Sequence, residues 1–192
     1  AGLGRVLLRA MCWRMGGRLP NAPRVVLAVA PHTSNIDGLI GISAIQSRRV
    51  QVRFMGKHTL FEGRLGRLMY WLGGIPVNRD SARDVVDQTT AVMRETPFWL
   101  GLAPEGTRTG AKRWKTGFYR IAEQMAVPIV VLGFCYRRRQ VRIVDCFLPT
   151  GDMDADMARM VASLADIVPR KPALLSPPLK SSKAAPCPFY PS

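Results

Sequence analysis

Histidine is scarce in this chain, with only His32 and His58 among 192 residues. Acidic residues are also few: 13 Asp and Glu stand against 28 Lys and Arg, a net charge of +15. The four cysteines (Cys12, Cys135, Cys146 and Cys187) form no C-x-x-C pair and have no histidine at ligand spacing. That argues against a zinc site or a disulfide framework and reads as reduced thiols in a cytoplasmic protein. No apolar run reaches the roughly 18 residues that cross a bilayer. Arg5, Arg9 and Arg14 interrupt the start, so residues 1–17 do not read as a signal peptide. The chain begins without Met, which leaves room for residues upstream. There is no internal repeat and no G-x-S-x-G elbow, so no acyl-enzyme on a serine is expected.

What is present suits one folded domain. Apolar residues make up 47% and charged residues 21%, ordinary for a chain long enough to bury a sizeable core. The positive charge favours anionic partners such as nucleic acid, lipid headgroups or phosphorylated substrates. Nucleic acid is set aside, because the basic residues are scattered and no reading motif accompanies them.

Strand and helix patterns alternate along the chain. Val25 to Ala30 reads as a fully buried strand. A helix is expected over Asn35–Ile45, with Ser34 or Asn35 as its cap. Short strands follow at Val52–Met55 and Ile75–Val77, flanking a helix marked by Phe61, Leu65, Leu68, Met69 and Leu72. Ser81 is a candidate cap for a helix through Arg94, and Phe98–Ala103 is a strand stopped by Pro104. Phe118, Ile121, Ala122 and Met125 share one helical face. Strands over Ile129–Phe134 and Val141–Leu148 surround the turn Arg137-Arg138-Arg139, and a last amphipathic helix runs from Met153 to Val168. The alternation predicts a single α/β sandwich, a mostly parallel central sheet flanked by helices. Residues 1–18 read as an amphipathic helix, either on a membrane surface or packed on the domain. Residues 19–168 form the domain itself. From Pro169 seven of 24 residues are proline, so 169–192 is expected to be an extended or disordered tail.

Four sites carry candidate chemistry. His32 and Asp37 stand where the first strand gives way to a helix. In a continuous helix they would lie about 140° apart. They meet only if His32 sits in a turn, which Pro31 and Thr33-Ser34-Asn35 favour. Asp37 would then fix the imidazole tautomer and leave the other nitrogen as a general base. Ala103-Pro104-Glu105-Gly106-Thr107-Arg108 presents an acid and an arginine at a strand's C-terminal edge, where open α/β sheets bind ligands. Arg108 suits a phosphate. Arg79 follows the strand led by Gly73-Gly74, and Lys57 follows another strand end. Jointly these place a base and several cations around one anionic substrate, although each taken alone also reads as a surface charge.

The ordered set of H-x4-D, a glycine-led segment ending in arginine, E-G-T-R and V-P-I-V resembles the glycerolipid acyltransferase family, which includes the 1-acyl-glycerol-3-phosphate acyltransferases. The likeness runs from about Val25 to Phe134. It implies a glycerol-3-phosphate-acyltransferase-like fold with His32 as base and Asp37 as its partner. Arg79 and Arg108 would bind the acceptor phosphate. Glu105, Gly106 and Thr107 would shape the acceptor site, and Val127-Pro128-Ile129-Val130 would line the acyl side. It further implies acyl-CoA or acyl-carrier protein as donor, a lysophospholipid as acceptor and an anionic membrane surface as partner. No metal or other cofactor is implied, and the place of action is the cytoplasmic face of the cell membrane. Pro31 replaces a common asparagine, Asn78 a common aspartate, and Val131-Leu132 a second proline. These departures leave the pair intact and bear on the acceptor: lysophosphatidate is the default, with another lyso-lipid, an acylated amino acid or an inactive lipid-binding module as alternatives. Leu60 to Leu72, with Tyr70 and Trp71 beside Arg64 and Arg67, reads as an interfacial or a core helix.

Overall fold

β2 (Val25–Val29) is apolar at every position, as a strand covered on both faces must be. The computed structural model describes residues 2–48, 50–77, 82–107 and 111–184. It places β2 fourth of seven strands, in the order β1-β7-β6-β2-β5-β3-β4. The others are β1 (Arg14–Gly16), β3 (Val52–Lys57), β4 (Gly74–Val77), β5 (Trp99–Leu102), β6 (Ile129–Cys135) and β7 (Gln140–Phe147). Every pairing is parallel except β6 with β7. This is the expected α/β architecture, a mostly parallel sheet flanked by helices.

β2 divides the core by the alternation of its side chains. Val26 and Ala28 enter one apolar cluster, with residues of α4 (Ala82–Glu95), α5 (Gly117–Met125) and α6 (Met153–Ser163). Val25 and Leu27 enter the other, with Leu8 of α1 (Gly2–Ala10) and Ile40 and Ala44 of α2 (Asn35–Ser47). Each fully buried large aliphatic side chain contributes about 1.5–3 kcal/mol. α3 (Gly63–Trp71), preceded by a 3-10 turn at His58–Phe61, connects β3 to β4.

The N-terminal helix packs on the domain through α2. A Cβ built on Gly4 would come within 2.6 Å of the Ser43 carbonyl, so glycine permits this close approach. The helix ends at Ala10, and the residues expected to extend its stripe do something else. Trp13 is buried, and Arg14 opens β1, an edge strand that the hydrophobic pattern did not reveal because it is only three residues long.

The expectation of an extended C-terminal tail is corrected for its described part. The last helix expected through Val168 ends at Ser163, and the chain then continues into a 3-10 turn at Pro172–Leu174 and α7 (Pro177–Ala184). Pro177 and Pro178 occupy the first turn of α7, where backbone N–H groups have no partner to lose. Leu175 and Leu179 are buried in the α4–α6 side of the core. Proline content alone therefore misjudged this segment. Residues 185–192 lie outside the described residues.

Candidate active site

β2 delivers the chain to the C-terminal edge of the sheet at Ala30, and Pro31 to Ser34 form a turn before α2 begins. Ser34 caps α2: its hydroxyl accepts Ile36 N–H, and its own N–H donates to Asp37 in a capping box. The cap brings Asp37 back over the turn. Asp37 Oδ2 accepts Thr33 N–H at 2.9 Å and Ser34 N–H at 2.8 Å, and it faces His32 Nδ1 at 3.5 Å. Asp37 therefore serves at once as a helix-capping residue and as the partner of His32. The imidazole is slightly exposed, at 14%, whereas Asp37 is 1% exposed.

Burial alone would raise the Asp37 pKa. Hydrogen bonds from His32, Tyr136 and Ser34 reverse that and hold the carboxyl below its ordinary range. The Tyr136 hydroxyl donates to Asp37 Oδ1 at 2.5 Å. Burial and then the Asp37 charge drive the Tyr136 pKa upward, so this phenol stays protonated as a donor. Trp13 meets the Tyr136 ring edge-on, with centroids 4.8 Å apart. Nδ1 thus faces a fixed carboxylate, and Nε2 is the nitrogen turned away from it, the arrangement of a general base with its orienting partner.

β5 pairs with β2, so the turn after β5 lies beside His32. Gly106 N–H closes that turn on the Ala103 carbonyl, at a φ of +63° that favours glycine. Glu105 is buried and is not a surface charge. Its Oε2 accepts His32 N–H at 2.7 Å. Burial is the main cause of its raised pKa, partly offset by that bond and by the Ser176 hydroxyl beside it. Oε1 makes no hydrogen bond of ordinary geometry among the described residues. Gly106 and Thr107 follow at the exposed rim. Lys57 ends β3, with its side chain outside the described residues. Arg79 and Arg108 also lie outside them. The structure therefore brings together His32, Asp37 and Glu105.

Four contacts at this site were not foreseen from the sequence. Tyr136 is one. It sits just past the end of β6, the strand on the other side of β2, at the sheet edge where open α/β sheets bind ligands. The other three come from the C-terminal segment. Arg170 Nη1 donates to Ser34 Oγ at 3.2 Å, and Lys171 N–H to Thr33 Oγ1 at 3.3 Å. Ser176 Oγ accepts Trp114 Nε1–H at 2.9 Å while standing beside Glu105. No local pattern predicted this return of the chain.

Residues 17–134 match the family model described as Acyltransferase, more than half of the sequence, and the chain belongs to that family. Among solved structures, the fold is similar to that of the 1-acyl-sn-glycerophosphate (LPA) acyltransferase PlsC from Thermotoga maritima. The TM-score is 0.52 at 15% identity, over 82% of this chain and 71% of that one. No curated protein matches by sequence. Tyr136, Arg170 and Ser176 all fall beyond the stretch that matches the family.

Proposed function

We propose that the chain transfers a fatty acyl group from a thioester, acyl-CoA or acyl-carrier protein, to the hydroxyl of a lysophospholipid, with 1-acyl-glycerol-3-phosphate as the default acceptor. The observation that carries this reading is the His32–Asp37 pair, 3.5 Å apart at the C-terminal edge of β2, in a chain of the Acyltransferase family. His32 Nε2 takes the hydroxyl proton as the oxygen attacks the thioester carbonyl. The new C–O bond forms, the C–S bond breaks, and the proton passes from the imidazolium to the departing thiolate. Asp37 stabilises the imidazolium between the two steps. General-base action of this kind contributes about 10²–10⁴-fold. Arg79, Arg108 and Lys57 are assigned to the acceptor phosphate, and Gly106 and Thr107 to the walls of its site. Glu105 holds the backbone of His32 and so positions the base.

No helix among the described residues is long and apolar enough to cross a membrane. The acyl-transfer reading carries with it a place at the cytoplasmic face of the membrane. The test incubates the protein with acyl-CoA and a panel of lyso-lipids and follows free thiol. His32→Ala should lose transfer by about 10²–10⁴-fold while its circular dichroism stays that of the wild type. Near-normal turnover in that variant sinks the mechanism. Thioester cleavage without any acceptor would make the protein a hydrolase instead.

A further inference from the structure

The surface is lopsided in both greasiness and charge. Among the described residues, eight large apolar side chains are exposed, and seven of them sit on α1, α2 and α3. Val6, Leu39, Tyr70 and Trp71 lead them, with exposures of 62%, 52%, 56% and 76%. These helices share one face of the sheet. α1 and α2 enter the same apolar cluster. α2 and α3 both connect parallel strands while stepping in the same direction across the sheet, so right-handed crossovers place them on one side. The first 72 residues also hold eleven of the 28 basic side chains and only two of the 13 acids, Asp37 and Glu62. Asp37 is buried.

A cleft opens at the foot of α2, on this same face. Arg5, Arg9, Arg14 and Arg48 line it with Trp13 and Met15, and no acid does. Its volume of about 410 Å³ falls within the roughly 300–1,000 Å³ of small-ligand sites. Arg5 reaches the Ser47 carbonyl at 3.4 Å, and Arg48 the Met15 carbonyl at 3.3 Å. The first is what the C-terminus of α2 attracts, and the second ties the end of α2 to β1. Arg9 and Arg14, which line the same cleft, have no such bond among the described residues. Four guanidinium groups around one cleft repel, and a phosphate between them removes that repulsion while filling their donor forks. α2 is 13 residues long, so the cleft stands about 20 Å from its catalytic end.

We propose that this arginine cleft is a second anion site, which holds the phosphate of an anionic phospholipid in the bilayer surface and seats the α1–α2–α3 face on the membrane. The exposed apolar side chains on that face select a lipid over free phosphate as the occupant, because only a lipid surface covers them too. Seated this way, α2 lies along the interface, with its start, and His32, at headgroup level. The proposal deepens the lipid reading given above but does not require His32 to be catalytic.

The test is co-sedimentation of the whole chain with phosphatidylcholine vesicles, with and without phosphatidylglycerol and without any thioester. The wild type should bind the anionic vesicles more tightly. Arg9→Gln/Arg14→Gln should weaken that binding by about 30-fold, with the unfolding temperature as the check on folding. Arg9→Lys/Arg14→Lys keeps the charge and loses the forks. Weaker binding than wild type by this pair supports a built headgroup site, while equal binding reduces the cleft to diffuse positive charge and overturns the proposal. Inorganic phosphate titrated without vesicles is the third arm: saturation of the cleft by phosphate in a protein that ignores anionic vesicles overturns the lipid assignment. His32→Ala should sediment like the wild type, which keeps a failure here distinct from a failure of the acyl-transfer reading.

Discussion

Asp37 collects four contacts on two oxygens: Thr33 N–H, Ser34 N–H and His32 Nδ1 on one, the Tyr136 hydroxyl on the other. A carboxylate held this way cannot swing, so the imidazole that faces it has one preferred orientation. Under the proposed acyl transfer, Tyr136 acts through Asp37 as a positioning residue. Removing its hydroxyl leaves Oδ1 buried without its donor, a loss of about 1.5–3 kcal/mol for a bond to a charged group. Tyr136→Phe should therefore lower kcat by about 10- to 100-fold and leave KM for the acceptor unchanged, as steady-state rates against lyso-lipid concentration would show. A rise in KM with kcat preserved would place Tyr136 on the substrate instead. His32 and Asp37 were legible in the sequence because their spacing is local and the polar turn between them has a known geometry. Tyr136 was not, because 99 residues separate it from Asp37 and nothing local to it marks its partner.

The C-terminal segment supplies the lesson at the scale of an element. Its prolines predicted an extended chain, yet two of them start α7, and Leu175 and Leu179 carry the segment into the core. A helix survives proline in its first turn and is held by what it buries, which no window of composition reports. By contrast, β2, β5 and β6 were legible, because continuous apolar runs between turn residues have few other uses in an alternating α/β chain. The register of Glu105 against His32 was not, since it depends on β5 pairing with β2 across an intervening pair of strands in the sequence. The packing of the tail gives a direct prediction. Leu179→Ala truncates a fully buried side chain and should cost about 2–5 kcal/mol. For a chain of this size that lowers the melting temperature by roughly 4–20 °C, measurable by calorimetry. A loss below one degree would mean that α7 does not belong to the cooperative unit.

For the molecule as a whole, pH sets buried carboxylates against one another. Asp156 is buried between α6 and its neighbours. Burial would raise its pKa, but bonds from Thr150 N–H, Tyr119 Oη–H and the Thr150 hydroxyl hold it below the ordinary range. Asp37 is lowered as well. For both, the unfolded chain takes up the proton first as pH falls. Their stabilisation is complete above the ordinary aspartate value of about 4 and is lost as pH drops through the lower folded value. Glu105 runs the other way. Its pKa is raised, chiefly by burial, so its contribution is present below the ordinary glutamate value and lost as pH rises through the folded one. From pH 7 down to about 5 the glutamate therefore gains while the aspartates have lost nothing. Below about 4 the aspartates dominate, and protonation of surface acids adds to a charge that is already +15 at pH 7, with growing self-repulsion. Urea midpoints should accordingly be level or slightly higher at pH 5 than at 7 and should fall steeply below about 4. Asp156→Asn should be less stable than wild type at pH 7, because its amide group offers a donor where the carboxylate accepted. It should also show a shallower fall at low pH, since the variant has no proton to bind there. Parallel curves for the two proteins below pH 4 would remove Asp156 from the linkage and leave Asp37, at the His32 turn, as the buried aspartate whose protonation opens the fold.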